Sequence, residues 1–183
     1  MQIHYIDEIK KHIEQAKLVV VGLGEEWNVS PDVQKKEAYQ RVMNDLKANP
    51  QYQWLLPYFY YKWTDDKLLQ AYKNLFNILN DKNYFVVATT TNRCFLPFVN
   101  EERFVMPCGT EEYMCNEVLS ESSEFSEFIQ SLERYLHGEL SFDEIQFVKE
   151  ESGETVTFNN IYAPGYKEEG YLPKWSMYMK WLQ

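Results

Sequence analysis

Three short segments hold residues whose types and order suit chemistry on a small ligand. In the first, Leu18-Val19-Val20-Val21 runs into Gly22-Leu23-Gly24-Glu25-Glu26. Glycines at the end of a strand let the backbone approach a pyrophosphate, and a following helix N-terminus favours the anion. The third glycine of a GxGxxG fingerprint is absent, with Trp27 in its place, so a plain strand-to-loop turn is an equal reading. In the second, Thr89-Thr90-Thr91-Asn92 closes another apolar run. Its hydroxyls and carboxamide suit a crevice at the carboxyl edge of a parallel sheet, or simply cap a strand end. The third is Pro107-Cys108-Gly109-Thr110, where a free thiol could act as a nucleophile. No histidine accompanies it, which favours a buried inert thiol.

Other candidates are weaker. Cys94, Cys108 and Cys115 form no CxxC pair, so zinc is not expected and the three read as reduced thiols. Histidines occur only at 4, 12 and 137, without an HExxH. His137-Gly138 reads as a helix C-terminus with a glycine cap. The pairs Glu101-Glu102, Glu111-Glu112 and Glu168-Glu169 read as solvated surface in a chain with 28 acids.

The elements that must position these residues follow from hydrophobic periodicity. Ile3, Ile6, Ile9 and Ile13 mark an amphipathic helix. The run at 18–21 reads as a strand buried on both faces. Ser30-Pro31 opens a helix to about Ala48, and Asn49-Pro50 ends it. Residues 51–63 form an aromatic cluster around Pro57, and Thr64-Asp65-Asp66 caps a helix to Leu79. Strands are expected over 84–92 and 103–109, with a short one at 112–118. A helix spans Ser123–His137, an irregular lobe with a hairpin at 151–154 spans 139–174, and a last helix begins at Trp175. This alternation predicts an α/β fold with a mostly parallel sheet.

At 183 residues the chain is sized for one domain, or one with a small lobe. Its net charge of −10 repels phosphate backbones and anionic lipid, so neither nucleic acid nor a membrane surface is an expected partner. The apolar runs are too short to span a bilayer, and the charged, amphipathic N-terminus has no signal-peptide core. A cytoplasmic protein is expected.

Taken in order, the three strand-end segments resemble the sirtuins, the NAD-dependent protein deacylases. The family's first strand ends in a Gly-Ala-Gly-Ile-Ser phosphate loop, where this chain has Gly22-Leu23-Gly24-Glu25-Glu26. Its Thr-Gln-Asn-Ile-Asp signature falls on Thr90-Thr91-Asn92-Arg93-Cys94, its His-Gly on Cys108-Gly109, and its first zinc cysteine on Cys115. The resemblance implies a Rossmann-like, mostly parallel sheet flanked by helices over 1–118. A small lobe over 119–174 would replace the zinc ribbon and lack zinc, and a helix over 175–183 would return to the core. It implies NAD or ADP-ribose as ligand, with Gly22, Gly24, Glu25, Thr90 and Asn92 as cofactor-binding residues. It also implies later strands for the adenosine half of NAD, which this chain does not reach.

Cys108 stands where the resemblance places a histidine base, and a thiol near its ordinary pKa is a poor base at neutral pH. The expectation is a nucleotide-binding protein without deacylase activity. Two alternatives stay open. One is an NAD-consuming enzyme or deacylase of altered mechanism using Cys108. The other is an interaction module, or a homo-oligomer, using the aromatic stretch 51–63 and the Tyr- and Trp-rich tail.

Overall fold

The computed structural model describes residues 2–114, 122–149 and 152–183. Its centre is a three-stranded parallel sheet in the order β1 (Val19–Leu23), β2 (Tyr84–Ala88), β3 (Phe104–Val105). Register is set by Val19 opposite Tyr84 through Leu23 opposite Ala88, and by Val86 opposite Phe104. Helices flank the sheet. On one face α5 (Asp66–Leu79) lays Leu68, Tyr72, Phe76 and Leu79 against Leu23, Val86, Ala88 and Phe95. On the other, Phe85 packs on Tyr178 and Trp181 of α7 (Leu172–Trp181), with ring centroids 4.9 and 5.7 Å away.

A second core is aromatic. It combines α2 (Pro31–Gln34), α3 (Glu37–Ala48), α4 (Leu56–Lys62) and α6 (Ser123–Leu136) with a two-stranded antiparallel sheet. That sheet pairs β4 (Gly109–Met114) with β5 (Phe158–Asn160), Gly109 lying opposite Asn160. The lobe therefore draws on residues 29–63 as well as on those after 122, because Trp54 through Tyr60 are all buried in it. Of the aromatic stretch 51–63, which one alternative offered as a partner surface, residues 54–60 are core.

Several local expectations change for identifiable reasons. β1 is an edge strand and not one buried on both faces: Val20 is 50% exposed and Gly22 is also open. β2 stops at Ala88 and does not run to Asn92, because the Thr89 and Thr90 N–H groups both donate to the Leu23 carbonyl, at 2.8 and 2.9 Å. β3 is only two residues long. Pro107 supplies no N–H for a ladder, and Gly109, at φ +71°, turns the chain into β4. Any Cβ at Gly109 would also collide with the Asn159 carbonyl.

The helix expected over 30–48 divides where Lys36 takes an extended conformation, φ −71° and ψ 142°. The Gln40 side chain then donates to the freed Gln34 carbonyl at 2.7 Å. The last helix starts at Leu172, with Pro173 in its first turn. In α1 (Gln2–Gln15), Ile9 is exposed and Ile13 half-buried, while Ile3 and Ile6 lie outside the described side chains. His137 and Gly138 do end α6, with Gly138 at φ +77°. A Lys149–Thr155 bridge brackets the hairpin region, of which Glu151 lies outside the described residues. Cys115 and the end of the strand expected over 112–118 also lie outside them.

Candidate functional site

The site begins where β1 runs out. After Leu23 the chain enters a single 3₁₀ turn, Glu25–Trp27, instead of a helix. Trp27, the residue in place of a third glycine, stacks against Tyr72 at 4.8 Å, and the Tyr72 hydroxyl donates to the Trp27 carbonyl at 2.9 Å. This contact folds the loop down onto α5 and brings Asn28 inward, where it is buried.

Asn28 is the residue that sequence reasoning missed. Its side-chain oxygen accepts from the Thr90 hydroxyl at 2.7 Å and from the Thr91 N–H at 3.1 Å. Its carbonyl accepts from the Asn92 carboxamide at 2.7 Å. The same carboxamide donates to the Tyr60 carbonyl at 3.0 Å and to the Thr64 hydroxyl at 3.1 Å, and its oxygen accepts from the Cys94 N–H at 3.0 Å. Thr90 and Asn92 are both 0% exposed. The signal in the sequence was slight: one polar residue between Trp27 and Val29, 62 positions from the threonine it meets.

Five of the six expected site residues fall into two groups. Thr90 and Asn92 form a polar layer under the carboxyl edge of the sheet, with their hydrogen bonds turned inward. Gly24, Glu25 and Cys108 lie at the surface or half-buried above it. Burial, then the Glu25 charge, push the Cys108 thiol above its ordinary pKa. Tyr162 shares this neighbourhood, its phenol pushed up by burial, then by Glu25 and Cys108. Gly22 stands apart, on the open face of β1, where an added Cβ would meet nothing.

The chemistry this permits is narrow. A thiol with a raised pKa is protonated at neutral pH, which makes Cys108 a weak base and a weak nucleophile. Cys94, buried beside Asn92, is more inert still, with its pKa pushed to about 11 mainly by burial. Arg93 is committed elsewhere: its guanidinium bonds Glu111 at 2.5 Å and Glu112 at 2.8 Å and lies over the Tyr61 ring. Burial pushes the Glu111 carboxyl above its ordinary pKa while Arg93 pulls it back, and its second oxygen has no partner among the described residues.

Glu25 and Glu26, with the Glu26 carboxylate folded against Gly24, suit ribose hydroxyls and oppose a pyrophosphate. Among the described residues no three His, Cys, Asp or Glu side chains are grouped to hold a metal ion, and no helix is long and apolar enough to cross a membrane. Set against known proteins, the chain matches no family model and no curated protein.

Proposed function

We propose that the carboxyl edge of the parallel sheet is a sirtuin-like, Rossmann-like nucleotide crevice that binds ADP-ribose or NAD without deacylating. One observation carries this reading. The Thr89 and Thr90 N–H groups that follow β2 donate to the carbonyl that ends β1, so the two strand-end loops lie side by side. Open α/β sheets bind ligands at such an edge. In this reading Gly24, Glu25 and Cys108 face the ligand, and Thr90 and Asn92 hold the loops in place from below. Gly22, within β1 and paired with Val87, contributes no ligand contact. When bound, NAD would supply the electrophilic ribose carbon, and Cys108, protonated at neutral pH, is a poor base toward a ribose hydroxyl.

Isothermal titration with ADP-ribose and NAD tests the proposal. Saturable heat at millimolar ligand is expected, with binding tightened about threefold by Glu26→Gln, because that change removes a charge opposing the phosphates. No heat at millimolar ligand for wild type and variant alike would remove the nucleotide site. Turnover of NAD with an acyl-lysine peptide would overturn the non-catalytic half.

A further inference from the structure

A separate cleft of about 90 Å³ opens where β3, β4, the loop after β5 and the start of α7 meet. Its floor is apolar, formed by half-buried Leu96, Phe104 and Met106. Its rim carries Lys167, Lys174 and Glu112. The charges do not cancel. Glu112 is already held by the Arg93 guanidinium at 2.8 Å. The Lys174 ammonium lies 4.0 Å over the Phe104 ring and donates to the Glu101 carbonyl, a neutral acceptor. Neither lysine has a carboxylate partner among the described residues. In a chain of net charge −10, this cleft sets two lysine ammoniums without a carboxylate partner among the described residues beside an apolar lining, with Glu168 and Glu169 next in the chain after Lys167.

Size narrows the occupant. At about 90 Å³ the cleft is well below the roughly 300–1,000 Å³ of pockets that hold drug-sized ligands, so it suits a short alkyl group and is too small for a nucleoside. We propose that this cleft binds a small monocarboxylate with a short alkyl tail: the tail lies on Leu96, Phe104 and Met106, and the carboxylate meets Lys167 and Lys174. The proposal does not depend on the nucleotide reading, because it uses none of the same side chains.

The test uses protein labelled at the methionine methyl groups, with the Met106 signal assigned through Met106→Leu. 3-Methylbutanoate is titrated against 3-methylbutanol, which keeps the tail and loses the charge. The acid is expected to shift the Met106 signal saturably, with a dissociation constant on the order of 1 mM, a reasonable strength for so few atoms. The alcohol should bind at least about fivefold more weakly, and Lys167→Ala should weaken the acid by a similar factor. Leu96→Trp, which fills the floor, should abolish the shift while leaving the circular dichroism unchanged. Absence of a saturable shift, or equal binding of acid and alcohol, would overturn the proposal.

Discussion

Around Trp54 the rings of Phe158, Phe128 and Phe147 crowd at 5.4, 6.2 and 6.2 Å, and the lobe they build is apolar almost throughout. Around Leu23 and Val86 the packing is largely aliphatic, and it ends at a layer of Asn28, Thr90, Thr91 and Asn92 directly under the loops. The difference separates two jobs. Ring packing is tolerant of direction and supplies bulk stability. A buried polar layer is directional: its donors and acceptors are met by specific partners, the Thr91 hydroxyl excepted among the described residues, so it fixes loop positions to within a hydrogen-bond length. The candidate crevice sits over the directional layer, where a fixed loop has something to position.

Substitutions can break this contrast in turn. Trp54→Ala removes the largest fully buried ring of the aromatic lobe, and a loss of about 4 kcal/mol is expected in urea unfolding. A loss under about 1 kcal/mol would mean that the ring network is loose. Next in size, Asn92→Ala strands the Asn28 and Tyr60 carbonyls and the Cys94 N–H, with an expected cost of about 3 kcal/mol. Asn160, equally buried in the aromatic lobe, donates to the Trp54 carbonyl at 3.0 Å and accepts from the Tyr162 N–H. It has fewer partners, so Asn160→Ala should cost about 2 kcal/mol. The reverse order would undo the claim that the polar layer is concentrated under the sheet edge.

The smallest effect concerns Glu111, at the boundary between the regions. Its folded pKa lies above the ordinary carboxylate value of about 4.3. The folded state therefore holds this proton more tightly than the unfolded chain does. Its contribution is fully present below that ordinary value and is lost as pH rises through the folded value. Glu111→Gln cannot titrate, so its urea midpoint should fall less steeply than that of wild type over the same pH interval. Parallel profiles would show that Arg93 neutralises the burial of Glu111 entirely.

Much of the scaffold is legible in the sequence because it depends on local pattern. Ser30 and Asp65 are readable as caps, and each accepts from the backbone N–H three residues on. The apolar side of α5 is readable from its period, and Gly138 from its place after a helix. Other features depend on what arrives from far along the chain. Val19-Val20-Val21 looks alike in a central and an edge strand, so the open face of β1 could not be read. Thr90 and Asn92 carry the right chemistry for a crevice, and only the arrival of Asn28 turns their side chains inward. The aromatic stretch 51–63 was ambiguous between core and surface until a lobe formed on both sides of it.

That stretch has one more consequence. Its carbonyls are gripped near each end by a buried asparagine, Tyr60 by Asn92 from the sheet edge and Trp54 by Asn160 from β5. Residues 54–60 are thus a rigid spar shared by both halves, and neither half can open without releasing its hold on the other. The molecule should melt as one cooperative unit, with amide hydrogens in β2 and β5 reporting a common free energy of opening despite their different surroundings.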